Sequence, residues 1–266
     1  MITSGCVSVT SVKGPEGWVC PLPWDSRHFG FPVGRIDAPD LDDHALRSAL
    51  EAARGQRYVL LYWTTTEERA VPEWLIAEYH GRLVDWKITF AANLDRGSPD
   101  AAIPHPQVSL EAYPPGPACP ELKALAIAAG LYSRFFADPR IPRRAAEDLY
   151  GVWIDKSARR ELADDVLVAR KRGAGGKLAG MVTVSLREGL GSIGLSAVRQ
   201  ECRGQGIGAC LIAASHVWMR ARGASRSEVV TQRANTPACR LYARCGYSVK
   251  TIRRVYHFWL ATPPVQ

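Results

Sequence analysis

Ile193-Gly-Leu-Ser-Ala-Val-Arg-Gln-Glu-Cys-Arg-Gly-Gln-Gly-Ile-Gly208 runs on into Ala209-Cys-Leu-Ile-Ala-Ala-Ser-His-Val-Trp218. A strand over Ser192–Val198 ends, a short loop follows, and an apolar helix over Gln205–Arg222 begins with no large side chain blocking its first turn. The loop holds Arg203, Gly204, Gln205, Gly206, Ile207 and Gly208. Its glycines let backbone N–H groups approach a ligand closely, and the positive end of the helix dipole faces the same point. Such a junction suits a diphosphate. Taken alone, it also suits a nucleotide-binding fold or a plain turn. The absence of GKS or GKT excludes a triphosphate-binding loop of that kind.

About thirty residues further comes Thr231-Gln-Arg-Ala-Asn-Thr-Pro-Ala-Cys-Arg-Leu-Tyr-Ala-Arg-Cys-Gly-Tyr247. With both segments in view, the chain resembles the GNAT superfamily of acetyl-CoA-dependent N-acetyltransferases. Arg203-x-x-Gly206-x-Gly208 matches that superfamily's pyrophosphate loop. Asn235-x-x-Ala238-x-x-x-Tyr242-x-x-x-Gly246-Tyr247 matches its second signature. The likeness covers about residues 107 to 260.

A closer likeness is carried by Pro23-Trp-Asp-Ser-Arg-His-Phe-Gly-Phe-Pro-Val-Gly-Arg35, Tyr132-Ser-Arg-Phe135, Tyr150-x-x-Trp153-Ile154 and Val230-Thr-Gln-x-x-Asn235-Thr236. These resemble the TDP-fucosamine acetyltransferase family, which acetylates the 4-amino group of a nucleotide-linked deoxysugar. The chain departs from that family in its fuller pyrophosphate loop and its proline-rich connector.

The resemblance implies a GNAT fold, α/β (α+β), with a mixed central sheet whose strands splay between flanking helices, beside a smaller N-terminal α/β domain. It implies acetyl-CoA as co-substrate, with its arm between strands Ile193–Val198 and Glu228–Thr231 and paired to backbone around Ala197 and Val198. Arg203, Gly204, Gln205, Gly206, Ile207, Gly208 and Asn235 complete the expected cofactor site. Tyr242 is implied as the proton donor to the leaving thiolate, and a phenol near pKa 10 is well matched to a thiol. Glu188 and Glu201 flank the strand and are candidates for the base. Asp25 and Arg134 are candidates for acceptor binding. Asn235 also suits a helix N-cap.

The rest of the chain bounds these readings. Seven of its eighteen prolines fall between Pro99 and Pro120, a stretch closed to helix and to central strand. It predicts a boundary, giving an N-terminal α/β domain over 1–105 and a catalytic domain over 106–266. The first unit reads as strands Trp18–Leu22 and Val33–Ile36 around a Trp24-Asp25-Ser26 loop. A helix over Leu41–Arg54, a strand over Tyr58–Thr64, a helix over Pro72–Gly81 and a strand over Lys87–Asn93 follow. The second unit reads as strand Gln107–Ala112, helices Pro120–Ala129 and Pro142–Ala158, then strands Asp165–Arg170, Leu178–Arg187 and Ser192–Val198. It closes with the loop helix, strand Glu228–Thr231, helix Thr236–Arg244 and strand Tyr247–Leu260.

Seven cysteines fall in no CxxC pair or Cys/His cluster, so they read as reduced structural thiols with no metal site. No apolar run approaches the roughly 20 residues needed to span a bilayer. Met1–Cys6 lacks the pattern of a signal peptide. A cytoplasmic protein without a membrane partner is the expectation. The net charge of +8 is spread along the chain and no stripe interleaves it with aromatics, which argues against nucleic acid and for a small polyanion. His216 and His257, inside a helix and a strand, read as structural. The expected partner is a small-molecule amine, a sugar nucleotide by the closer resemblance, with a homodimer compatible. An acyltransferase acting on another amine and a silent acyl-CoA-binding module are the alternatives.

Overall fold

The computed structural model describes residues 15–94 and 105–263. In chain order the elements are β1 (Val19–Pro21), α1 (Pro23–Phe29), β2 (Val33–Ile36), α2 (Asp43–Gly55), β3 (Leu60–Thr66), α3 (Glu73–Glu78), β4 (Gly81–Asn93) and β5 (Val108–Ala112). Then come α4 (Pro120–Gly130), α5 (Arg134–Ala137), α6 (Arg143–Ala158), β6 (Asp165–Lys171), β7 (Leu178–Arg187), β8 (Leu190–Val198), α7 (Ile207–Arg220), β9 (Arg226–Gln232), α8 (Thr236–Arg244) and β10 (Ser248–Trp259). The result is a mixed α/β architecture of sheet and flanking helices, as the resemblance implies. No described helix is long and apolar enough to cross a membrane. The readings on Met1–Cys6 and on residues 95–104 lie outside the described residues.

Two compact units emerge. Among the described residues, one takes 15–87, 137–145 and 252–263, and the other 88–94, 105–136 and 146–251. The chain passes between them at 87/88, 136/137, 145/146 and 251/252, whereas a boundary at 105/106 falls inside the second unit beside the undescribed residues.

In the first unit β1 pairs antiparallel with β2, β2 parallel with β3, and β3 antiparallel with β10. The α2 helix starts where the Asp42 carboxylate accepts the Ala45 N–H at 2.8 Å, a side-chain N-cap. Its apolar face, Leu46, Ala49, Leu50 and Ala53, is buried against Leu61, Trp63, Tyr256 and Phe258. Trp24-Asp25-Ser26, expected as a loop, is instead inside α1. Pro23 sits in the first turn, where its missing N–H costs nothing. The Ser26 hydroxyl donates to the Leu22 carbonyl at 2.9 Å and accepts the Val33 N–H at 2.9 Å, drawing the chain into a helical turn. Gly30, at φ 76°, ends it. The strand expected over Lys87–Asn93 begins earlier, at Gly81, because α3 stops at Glu78 and His80 turns the chain at φ 47°.

This unit also holds a buried acid–histidine pair. Asp138 Oδ2 lies 2.6 Å from His257 Nδ1 and accepts the Trp259 indole N–H at 2.9 Å. Burial alone would raise the Asp138 pKa, but the bonds from His257 and Trp259 outweigh it and hold the carboxyl below its ordinary value.

In the second unit β5, β6, β7 and β8 form an antiparallel run, and β9 adds to β8 in parallel, with β4 beyond β9. Proline-rich residues 114–117 form a turn held by one hydroxyl. Tyr113 Oη donates to the Pro117 carbonyl at 3.2 Å and accepts the Cys119 N–H at 3.0 Å. The α4 helix then begins at Pro120. Inside this unit His216 Nε2 lies 2.8 Å from the Tyr247 hydroxyl, which also meets Ser227 Oγ at 2.7 Å. Burial, with Arg220 nearby, lowers the His216 pKa to about 4. His216 and His257 are both buried side chains.

Candidate active site

The site forms where β8 and β9 part. Parallel pairing runs from Leu190↔Arg226 to Ile193↔Val229 and stops there, although both strands continue. The cause lies on β8. Between the pairs Val184↔Ile193 and Val182↔Ser196, the two residues Gly194 and Leu195 stand opposite the single residue Thr183. That is a β-bulge, which bends and twists its strand. Its stray amide is satisfied, since Leu195 N–H donates to Thr183 Oγ1 at 2.8 Å. Glycine is needed beside it, because a Cβ on Gly194 would lie 2.7 Å from that same oxygen.

Beyond the bulge, backbone direction decides what β8 offers. Arg199 N–H donates to the Ala179 carbonyl at 2.8 Å, so 199/179 is a hydrogen-bonded pair of the antiparallel ladder. The next pair, Gly180↔Val198, is then a non-bonded one, and Met181↔Ala197 is bonded again. Val198 therefore turns its amide and carbonyl away from β7, to the side from which β9 has departed. Ala197 directs its own backbone toward β7. Of the two residues expected to pair with an acyl-CoA arm, Val198 has the suitable direction.

A cavity of about 390 Å³ occupies the parting. Gly194, Leu195 and Ser196 line it from β8, Val230, Thr231 and Gln232 from β9, and Asn235, Ala238 and Tyr242 from α8 and its N-cap. Asn235 caps α8, with its side-chain oxygen accepting the Ala238 N–H at 3.3 Å, and it faces the cavity as well. Tyr242, about two turns further, is buried and lines the cavity opposite Ser196. Burial pushes its phenol well above the ordinary tyrosine value. The thiols of Cys210, Cys239 and Cys245 are likewise pushed up by burial.

At the end of β8 the chain makes the glycine loop. Gly204 and Gly206 adopt φ 75° and 85°, the left-handed region that favours glycine. Gly206 is the N-cap of α7 and has no side chain with which to satisfy the amides of that first turn. A Cβ at Gly204 would meet nothing, so the approach to the loop is open. Gly208 is different: a Cβ there would lie 3.1 Å from Leu241, so its smallness lets α7 approach α8. Arg203 reaches back, its Nε donating to the Val198 carbonyl at 3.1 Å, and Gln205 Nε2 donates to the Glu201 carbonyl at 3.2 Å.

The expected carboxylates lie elsewhere. Glu188, at φ 51°, and Gly189, at φ 74°, form the two-residue turn of the β7–β8 hairpin. Glu201 sits in a short 3-10 turn and meets Arg199 at 3.5 Å. Both are exposed, and neither lines the cavity. Arg134 stands over the Phe135 ring at 4.3 Å, away from the cavity wall. Asp25 belongs to the other unit.

The carboxylate that does face the cavity is Glu228, and the guanidinium is Arg187. Glu228 is held by Lys250, with Nζ 2.5 Å from Oε1. Arg187 Nη1 contacts both oxygens of Asp164, at 3.0 and 2.8 Å. Ser185 pairs across from Ser192, and Ser192 from Glu228, so the three form one polar row on the cavity wall. Sequence reading missed this row because membership depends on register across three strands. Period-2 alternation in β9, where Glu228, Val230 and Gln232 share one side, was the only available signal.

A gap between parallel strands, a phenol inside it and an uncapped glycine loop at its end form one arrangement within the second unit. The chain matches the family model described as the acetyltransferase (GNAT) family over residues 126–247. These residues belong to the GNAT family. The GNAT region contains the bulge, the parting, the loop and α8. Over 142 residues the chain is 33% identical to dTDP-fucosamine acetyltransferase of Escherichia coli O6:H1 (strain CFT073), covering 53% of this chain and 58% of that protein. The chain thus spans under two thirds of this curated relative's length. A GCN5-related N-acetyltransferase from Sphaerobacter thermophilus shares the fold with a TM-score of 0.56 at 21% identity, covering 84% of this chain and 69% of that one. A conserved protein of unknown function from Staphylococcus epidermidis does so at 0.60 and 14% identity, covering 90% and 88%.

Proposed function

We propose that the chain is an acyl-CoA-dependent N-acetyltransferase that acetylates the amino group of a small acceptor, a nucleotide-linked 4-amino-deoxysugar. The observation that carries the reading is the parting of β8 from β9 immediately past Ile193↔Val229, with buried Tyr242 on the wall of the cavity that opens there.

The residues fit an acyl-CoA. The α7 amides and Gly204 suit its diphosphate, Val198 offers backbone to its arm, and Asn235 borders the same cavity. When bound, acetyl-CoA supplies an acetyl group activated as a thioester, which a neutral amine can take. Tyr242 holds a proton at its phenol oxygen for the leaving sulfur. Its raised pKa keeps that proton in place throughout the neutral range. Burial around Tyr242 and Val229 excludes water from this end of the cavity, protecting the thioester from hydrolysis.

The polar row lies at the other end. Ser192 is four residues before Ser196, roughly 13 Å along the strand, about the reach of an acceptor whose amine sits near Tyr242. Ser185, Ser192 and Glu228 suit hydroxyl groups, and Arg187 suits a phosphate. The amine must arrive neutral, so its proton is lost to bulk water before the acceptor enters the closed end. The likeness to dTDP-fucosamine acetyltransferase supports the sugar-nucleotide acceptor.

The test is thiol release from acetyl-CoA against amino-sugar nucleotides, polyamines and peptides. Release with a 4-amino-deoxysugar nucleotide alone supports the full reading. Release only with another amine keeps the reaction and overturns the acceptor. Silence throughout, with acetyl-CoA still raising Tm, overturns the transferase reading.

A further inference from the structure

Three side-chain tethers hold the glycine loop. Two come from its own neighbourhood, through Arg203 and Gln205. The third comes from a residue one hundred positions away: His105 Nε2 lies 2.7 Å from the Gln205 carbonyl oxygen. On the other side of the ring, Gln107 N–H donates to His105 Nδ1 at 3.2 Å.

These partners assign the protons. A carbonyl only accepts, so Nε2 carries hydrogen, and Nδ1, which receives an N–H, is bare. The imidazole is the neutral Nε2–H tautomer. The segment holding it is anchored by the bridge between His105 and Val108, where β5 begins.

The consequence follows from the planarity of the peptide bond. The Gln205 carbonyl and the Gly206 N–H belong to one trans peptide and point in opposite directions. Holding the carbonyl toward His105 therefore aims the Gly206 N–H away from it. Gly206 is at φ 85° and Gly204 at φ 75°, and glycine tolerates the alternative in which this peptide is flipped. In the flipped state a carbonyl oxygen would replace the amide at the mouth of the loop and repel an anion. The ring also lies close to this glycine, with Nε2 3.9 Å from the position a Gly206 Cβ would take.

We propose that His105 is a positioning residue: it locks the Gln205–Gly206 peptide with its N–H facing the diphosphate site, and so sets the loop's affinity for acyl-CoA. This rests on the reading that the loop holds the diphosphate. A lock formed before binding removes an ordering cost from the binding step.

The experiment measures equilibrium dissociation constants by calorimetry for CoA and for S-acetylpantetheine, which has the same arm without the diphosphate. Wild type, His105→Ala and His105→Gln are compared, with Tm as a check on folding. One lost hydrogen bond predicts CoA binding weaker by roughly 2- to 12-fold in the alanine variant. S-acetylpantetheine binding and Tm stay at wild-type values. Glutamine, whose amide N–H can stand where Nε2–H stood, restores most of the loss. Equal losses for both ligands, or unchanged CoA affinity in His105→Ala, would overturn the proposal while the diphosphate reading survives. Wild type binding CoA no better than S-acetylpantetheine would overturn both.

Discussion

Tyr242 on α8 and Ser196 on β8, one residue past the bulge, line one cavity, and the Tyr242 ring stands edge-on to Tyr247 at 5.8 Å. The phenol is thereby fixed in the parting of the strands, with burial keeping it protonated. Tyr242→Phe keeps the ring's packing against Phe90 and Tyr247 and removes only the hydroxyl with its proton. Turnover is expected to fall by about 100-fold or more, with the Kd for acetyl-CoA unchanged. Steady-state kinetics beside calorimetry checks this, and an unchanged rate removes Tyr242 from the acid role.

Thr183 stabilises the bulge through one hydroxyl. Thr183→Val keeps the shape and leaves the Leu195 amide without its acceptor, in a setting where Thr183 is buried. Denaturant unfolding is expected to show a loss of about 1–3 kcal/mol. Acetyl-CoA affinity should fall with it, because the bulge sets where β8 and β9 separate. A variant as stable as wild type would mean that the bulge does not depend on this bond.

Much of this arrangement was legible in the sequence, for local reasons. The bounds of α8 and β7 were readable because Asn235-Thr-Pro and the Glu188-Gly189 turn are punctuation carried by a few adjacent residues. The glycine loop was readable because Gly204 and Gly206 hold conformations that side chains disfavour. The parting of β8 from β9 was accessible only through the family resemblance. Its cause, two residues opposite Thr183, is a register between strands, and no local signal encodes it. The same limit hid Glu228, whose place on the cavity wall depends on its alignment with Ser192. It directed attention to Glu188 and Glu201, which are near in sequence but lie in exposed turns. The Trp24-Asp25-Ser26 block was misread as a loop because Ser26's bonds to Leu22 and Val33 join residues whose proximity exists only once the helix has formed.

Glu228 carries a prediction of its own. Glu228→Gln preserves size and removes the charge that faces the polar row. The acceptor KM is expected to rise by about 10-fold or more, the value of a hydrogen bond to a charged group, with the acetyl-CoA KM unchanged. Equal changes in both constants would place Glu228 in the general support of the sheet.

His216 sets a pH dependence of stability. Its folded pKa is lowered to about 4, against 6.5 for the free side chain, so the unfolded chain binds more protons between those values. The contribution is complete above pH 6.5 and is lost as pH falls toward 4, at about 1.4 kcal/mol per pH unit and about 3 kcal/mol in all. Tm should decline from pH 7 to pH 5, and His216→Gln should flatten that slope. An identical slope in the variant would assign the acid sensitivity to other groups.

Acetyl transfer to an amine in the parting of β8 and β9 is read out by mass analysis of the acceptor. Purified protein is incubated with acetyl-CoA and a nucleotide-linked 4-amino-deoxysugar, alongside Tyr242→Phe. The sugar nucleotide is expected to gain one acetyl group on its amine, in step with thiol release, and the variant to form product far more slowly. An unmodified acceptor, or acetylation at equal rates by both proteins, would contradict this reading.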